Sequence, residues 1–428
     1  MPAKQVTIQI VSIGDELLIG QVVNTNASWM ASQLTEKGFQ VITITTISDN
    51  PAAIFTTLKE VSGNSDIILI TGGLGPTKDD TTKNVICNFF SSKLIFSDEV
   101  LLNIERIFYN RGIPVSATNR KQAEVPDCAK IIPNSIGTAP GLWIEKNNSL
   151  FIFMPGVPFE MKEMMLSDIV PLLCEKFQPD SFIFHTIHIQ GIPESSLSDM
   201  LEEWESSLIK ENLSLAYLPQ PGIIRLRISG FGADKTLLES KIQEKIDKLK
   251  TIIPNDIFAY DEDSLESVIG KLLKERSATV SLAESCTGGY ISHLLTSIPG
   301  SSKYFLGSVV AYSNEIKINE LGIDKRILRK DGAVSKNVVE QMALNILQKT
   351  GSDYSIATSG IAGPDGGSDD KPVGTIWIAV ASHTGVISQK FVFGKLRDVN
   401  IKRTSATALN MLRKVILQLP GYNLGSEI

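Results

Sequence analysis

The chain has 428 residues, 43% of them hydrophobic, enough for two or three domains with complete cores. A formal net charge of −6 argues against an electrostatic grip on nucleic acid, and no apolar run reaches membrane-spanning length. Four cysteines, at positions 87, 128, 174 and 286, show neither paired nor metal-like spacing, so a cytoplasmic protein in a reducing compartment is expected, with no membrane or nucleic-acid partner.

The first segment alternates strands and helices. Val6 to Ile13, Val41 to Ile47 and Ile67 to Ile70 read as strands, and Asn26 to Lys37 and Pro51 to Val61 as helices. That order predicts a mostly parallel sheet covered on both faces, with ligands at the carboxyl ends of its strands. One strand end leads into Gly14-Asp15-Glu16, with Asn24 beyond it. Another leads into Thr71-Gly72-Gly73-Leu74-Gly75-Pro76-Thr77-Lys78-Asp79-Asp80-Thr81. In this second loop the backbone N–H groups of Gly72, Gly73, Gly75 and Thr77 can cradle phosphates. Asp79 and Asp80 supply hard oxygens for a divalent cation. The plainer reading has Asp79, Asp80 and Thr81 capping the helix that begins near Thr82. The terminal Gly-Lys-Ser/Thr of a Walker loop is missing. Further loops carry Asn119 to Ala123, Asn134 to Gly141 with Gly137, and Met154 to Met161 with Pro155 and Gly156.

After Pro171 the pattern shifts to a small α+β module over residues 178–258. Its strands are Phe182 to Gln190, Leu213 to Leu218, Ile223 to Gly230 and Ile257 to Tyr260, and its helices Glu194 to Ile209 and Lys235 to Leu249. The module lacks a Gly-x-x-Gly clamp, and Glu194, Asp199, Glu202, Glu203 and Glu205 make one helix acidic. A spacer or dimerisation role is expected over RNA binding. Arg225 and Arg227 alternate on one strand as surface charges.

The last third, residues 262–420, begins with a helix over Leu265 to Glu275 and ends with one over Arg403 to Leu417. Four apolar strands lie between them: Thr279 to Leu282, Gly307 to Ala311, Tyr354 to Thr358 and Thr375 to Ala381. The tail from Gly421 to Gly425 is expected to be disordered. The first strand runs into Ala283-Glu284-Ser285-Cys286-Thr287-Gly288-Gly289, where a small, hydroxyl-rich turn opens a helix. Backbone N–H groups left unpaired at a helix start can hold an oxyanion or a phosphate. A helix cap by Ser285 or Thr287 is the bland alternative. A serine nucleophile needs a base, and none of the four histidines is well placed. Lys317, one polar turn beyond Tyr312, is the candidate, provided the fold shields it from water. The loop Ser359-Gly360-Ile361-Ala362-Gly363-Pro364-Asp365-Gly366-Gly367, set between two apolar strands, suits a phosphate or carboxamide ligand.

Taken together, the turn at Ser285, Tyr312-Ser313-Asn314 with Lys317, Gly332 to Ser335, the loop at Ser359 and Lys371-Pro372-Val373-Gly374-Thr375 resemble the C-terminal domain of CinA proteins, the nicotinamide mononucleotide deamidase type. The resemblance implies Ser285 as nucleophile, Lys317 as its base and Tyr312 as a positioning or proton-relaying partner. Glu284, Thr287, Gly288, Gly289, Ser359, Gly360, Ala362 and Gly363 would surround the substrate. Ser301 and Ser302 match a family position that binds substrate. Arg397 would hold the nucleotide phosphate, with Arg403 as the alternative because Leu396 replaces the usual acidic residue. Residues 1–170 resemble the molybdopterin-binding-like domain of the same family, a three-layer α/β fold. For that domain the resemblance implies ADP-ribose hydrolysis to AMP and ribose 5-phosphate, with a divalent ion (Mg, Mn or Co) on Asp79 and Asp80 and with Glu16 close by. The middle module resembles the family's KH-like connector. The expectation is an α/β protein of two enzymatic domains joined by that connector, acting on nicotinamide mononucleotide and ADP-ribose as a homodimer. No cofactor is expected for the deamidase domain. The alternatives are a front domain that only binds a nucleotide or pterin, and a competence- or damage-linked adaptor.

Overall fold

The computed structural model describes residues 5–75 and 82–424. They form two compact units. One runs to Ile183 and takes in Phe231–Glu239; the other holds Phe184–Gly230 and the chain from Ser240 onward.

In the first unit a six-stranded sheet has the order Gln40–Ile47, Thr7–Ile13, Ile67–Thr71, Ser149–Met154, Gly141–Lys146, Lys130–Ile132. The first four strands pair in parallel, and the last two are added through antiparallel pairings, so that only Gly141–Lys146 runs against the rest. Ile67–Thr71 is wholly buried because alternate residues enter different cores. Ile68 and Ile70 join Ile54, Leu58 and Ile104 on one face, while Ile67 and Leu69 join Met30, Leu34 and Met161 on the other. The helices supplying those partners make this a three-layer sandwich. The helix Pro51–Val61 starts where proline follows a capping asparagine, Asn50, whose side chain accepts from the Ala52 amide.

The middle module is a four-stranded sheet in the order Ser214–Gln220, Ile223–Gly232, Ser181–Ile189, Ile257–Tyr260. In the C-terminal domain a five-stranded sheet has the order Phe305–Val310, Val280–Glu284, Tyr354–Gly360, Thr375–Ser382, Gly385–Val392. Three strands pair in parallel and two more are added through antiparallel pairings, so that only Thr375–Ser382 runs against the rest. One face carries Val280, Leu282, Ile356 and Ile378 against the helices Leu265–Glu275 and Arg397–Ile416. The other is lined by alanines, Ala283, Ala357, Ala379 and Ala381, which let the helix Lys336–Thr350 seat Val339, Met342 and Ile346 closely against the sheet.

Three expectations are corrected. The fifth strand, Gly385–Val392, had no clear apolar signal because it is a half-exposed edge. The last helix begins at Arg397, six residues earlier than its apolar spacing indicated. Residues 421–424 are not a loose tail: Tyr422 and Leu424 pack against the core and the Lys414 ammonium lies 5.3 Å from the Tyr422 ring. Among the described residues no helix is long and apolar enough to cross a membrane, and all four cysteines are free.

Candidate active site

Ser285 follows the strand Val280–Glu284 at its carboxyl end, and its amide is pinned to the Thr358 carbonyl of the neighbouring strand at 3.0 Å. The turn that follows is built around Glu284. This buried carboxylate accepts from the amides of Gly289, Ile291 and Ser292 and from the Ser292 hydroxyl, at 2.6–3.1 Å. It thereby satisfies the first N–H groups of the helix Tyr290–Thr296, a charge-assisted cap. Glu284 is thus committed to shaping the turn and has no free oxygen face for a ligand. Gly288 and Gly289 have φ of 63° and 94°, the left-handed region the turn requires. Thr287 is buried, with its hydroxyl 2.8 Å from that of Thr358. The amides of Cys286 and Thr287 donate to no backbone carbonyl among the described residues, so two N–H donors stand directly after the Ser285 hydroxyl.

Lys317 comes from the helix Asn314–Leu321, which Ser313 caps through the Ile316 amide. Its side chain is 1% exposed. The ammonium nitrogen lies 2.9 Å from Ser285 Oγ, 2.6 Å from the Ala311 carbonyl and 3.5 Å from the Tyr312 carbonyl. Burial holds the amine below the usual lysine range. The neighbouring Cys286 thiol is pushed up to about 12, chiefly by burial, and supplies no thiolate at neutral pH.

The third motif closes the site from the side. Arg397 donates to the Gly363 carbonyl at 2.8 Å and to the Tyr312 hydroxyl at 2.6 Å. The 60% exposed Tyr312 ring therefore reaches Arg397, while its hydroxyl makes no bond to Ser285 or Lys317. Asn400, one turn further along the helix and fully buried, donates to the Ala362 and Gly394 carbonyls at 2.9 and 2.8 Å. Sequence reasoning missed Asn400; its signal was a polar residue inside the buried stripe of a helix. Ser359 donates to the Ala333 carbonyl, and a Cβ at Gly360 would lie 2.3 Å from Ile376, so these two hold the loop in place. Ser301 and Ser302 lie elsewhere. They precede Phe305, which pairs with Val280 at the start of the strand whose far end carries Ser285. Within one chain they stand at the opposite end of the sheet.

In the first unit the carboxyl ends of Thr7–Ile13, Ile67–Thr71 and Ser149–Met154 open on a cleft of 350 Å³. Glu16, Gly72, Gly73, Gly75, Pro155 and Gly156 line it, as expected for a site at strand ends. Gly72 has φ of 108°, and a Cβ there would lie 2.2 Å from the Ile13 carbonyl. Gly137 adjoins the cleft, held by Asn134, which donates to Glu160 at 2.7 Å. Asn24 instead caps the helix Thr25–Glu36 and bonds to Thr46. Asn119 bonds to Ser116, the cap of its own short helix. Its neighbour Gln122 faces the cleft, 3% exposed and with neither carboxamide atom partnered among the described residues. Thr77, Asp79 and Asp80 lie outside the described residues.

With that geometry, comparison with known proteins is informative. Residues 262–416 match the family described as "CinA C-terminal domain", 9–175 the "Probable molybdopterin binding domain" and 185–259 the "Damage-inducible protein CinA KH domain". A CinA-like protein of Cytophaga hutchinsonii is 41% identical over 96% of this chain and 98% of its own length. The chain belongs to the CinA family. A second CinA-like protein, from Flavobacterium psychrophilum, is 43% identical over 96% and 98% of the two chains. Among solved structures, the competence/damage inducible protein CihA from Agrobacterium tumefaciens is 38% identical, over 35% of this chain and 92% of its own, with a TM-score of 0.34. This family member thus combines a molybdopterin-binding-like front domain, a KH-like connector and a CinA C-terminal domain.

Proposed function

We propose that the C-terminal domain hydrolyses the carboxamide of nicotinamide mononucleotide, and that the front domain hydrolyses ADP-ribose. One observation carries the first reading: a water-shielded lysine amine 2.9 Å from a serine hydroxyl at a strand-to-helix turn. In its neutral form Lys317 takes the Ser285 Oγ proton as the oxygen attacks the carboxamide carbon. The amides of Cys286 and Thr287 face the oxyanion that forms. Lys317 then passes its proton to the departing nitrogen, the C–N bond breaks and ammonia leaves. Water, losing a proton to Lys317, cleaves the Ser285 ester, and the acid is released with the serine restored. Arg397, at the rim with Tyr312 and the glycine loop, is the cation for the substrate phosphate.

For the front domain, Glu16, Asp49 and Glu160 bring carboxylate oxygens to the cleft, the donor type that suits Mg, Mn or Co. Among the described residues no three such groups converge as a metal site. Asp79 and Asp80 would complete the set, and the metal would neutralise pyrophosphate charge. The match to a molybdopterin-binding family also favours a second reading, in which this cleft binds a pterin or nucleotide without hydrolysing it. We further propose a cytoplasmic homodimer.

The test is ammonia release from nicotinamide mononucleotide by the full chain beside Ser285→Ala and Lys317→Ala. Activity in the wild type, lost in both folded variants, is expected; release by Ser285→Ala at the wild-type rate would sink the mechanism. ADP-ribose hydrolysis is measured in parallel with Gly72→Ala. The front-domain reading expects this activity to need added metal and to vanish in the variant, while ammonia release persists.

A further inference from the structure

A cleft of 570 Å³ lies in the second unit, between the KH-like connector and the C-terminal domain, remote from Ser285 in its lining. One wall is a polar stripe of the helix Arg397–Ile416. Arg403, Thr407, Asn410 and Lys414 recur at intervals of four, three and four residues and so share a face. A second wall is aromatic: Phe391 and Phe393 stand on the same side of an edge strand with ring centroids 5.5 Å apart and planes at 21°. The connector closes the cleft with the hairpin at Gly222, where an added Cβ would lie 3.3 Å from the Arg403 Cα, and with the turn at Gln190.

Two groups here lack partners. Lys414 is neutralised by Asp256 at 3.1 Å, but the half-buried Arg403 guanidinium has no carboxylate or carbonyl among the described residues. Gln190 is 5% exposed, and its Oε1 accepts no hydrogen bond among the described residues. A buried acceptor left unpaired costs about 1–3 kcal/mol, a cost that a ligand N–H or O–H would offset. The cleft therefore presents a free cation, an aromatic wall and an unfilled acceptor. Those features recognise, in turn, an anion, a flat ring, and a ring amine or ribose hydroxyl.

We propose that this cleft is a binding site for a nucleoside monophosphate, with the phosphate on Arg403, the base against Phe391 and Phe393, and Gln190 Oε1 accepting from base or sugar. The assignment is independent of the reactions proposed above. Its position gives it a route to the deamidase site, since the helix that presents Arg403 begins with Arg397 and Asn400.

The probe is AMP, titrated calorimetrically into the full-length protein and into Arg403→Met and Gln190→Leu. Methionine keeps an aliphatic stem under the Gly222 hairpin, and leucine nearly preserves volume while removing the unpaired acceptor, so neither variant is expected to melt below the wild type. Taking the difference between isotherms subtracts any AMP held in other clefts. The expected result is one AMP per chain lost or weakened at least tenfold in each variant, with ammonia release unchanged in Gln190→Leu. Adenosine and inorganic phosphate, each lacking one half of the ligand, bind at least tenfold more weakly than AMP. Identical AMP isotherms in wild type and both variants overturn the site. Phosphate binding as tightly as AMP overturns the nucleotide assignment.

Discussion

At the scale of single residues, function turns on what burial does to Lys317. A charged amine shut away from water is expensive, and the folded state lowers that cost by loosening its proton. The catalytic consequence has a definite sign. In the proposed mechanism Lys317 works neutral, so ammonia release should climb with pH along a limb centred below the ordinary lysine value of about 10.4. Stability follows the same proton. The unfolded chain holds it more tightly, so Lys317's contribution to stability rises with pH between its depressed folded pKa and the unfolded value, and burial of Lys317 is a net cost below that window. Lys317→Met should therefore abolish ammonia release yet raise neutral-pH stability by about 1 kcal/mol. A pH–rate profile and paired thermal melts read both effects; a variant less stable than wild type at pH 7 contradicts the second. The Ser285–Lys317 pair was legible because a strand-to-helix turn singled out the serine, none of the four histidines offered a base, and the motifs around Lys317 matched a known family. Gln122 and Asn400 were not, since a buried amide looks like any surface one until its neighbours are known. The hydroxyl of Tyr312 was legible as polar, but its partner, Arg397, is 85 residues away.

At the scale of elements, the turn after Val280–Glu284 is held by one carboxylate on four donors. Glu284→Gln keeps the shape but replaces one acceptor oxygen with an N–H donor facing amide N–H groups. It should cost about 2–3 kcal/mol of stability and move the Cys286 and Thr287 amides off the oxyanion position. The expected signature is a fall in kcat larger than any rise in KM. A change in KM alone would place Glu284 at the substrate instead. The element boundaries show what local pattern can reach. Pro51–Val61, Glu194–Ile209 and Leu265–Glu275 were read residue for residue, because each has a clear start signal and a periodic apolar face. The early start of Arg397–Ile416 was hidden: Leu396 is a poor cap, and the first turn is anchored by Arg397 and Asn400 reaching carbonyls of the glycine loop. Contacts that distant leave no local trace.

At the scale of the molecule, the question is how far the C-terminal domain is self-sufficient. Its family match starts at residue 262, and Ser264 caps its first helix by accepting from the Ser267 amide. The last helix says otherwise. Arg413 is 4% exposed, and its guanidinium donates to the carbonyls of Asn255 at 2.8 Å and Ile257 at 3.4 Å, just upstream of that boundary. Lys414 pairs with Asp256 in the same segment. A fragment of residues 262–428 removes all three partners and leaves Arg413 to whatever water reaches it, whereas 178–428 keeps them. Hydrogen bonds to a charged group contribute about 1.5–3 kcal/mol, partly recovered by rehydration, so the shorter fragment should lose about 2 kcal/mol. For a fragment of this size that lowers the melting temperature by about 4–8 °C. Arg413→Met should close most of the gap in the short fragment and destabilise the long one, since only the long one still holds the carbonyls that the guanidinium satisfies. Both fragments should release ammonia, because the residues bonded to Ser285, Lys317 and Arg397 all lie after residue 262. Equal melting of the two fragments would mean the connector segment carries no share of the C-terminal fold, whereas an inactive short fragment that still melts cooperatively would place part of the proposed Ser285–Lys317 site in the connector.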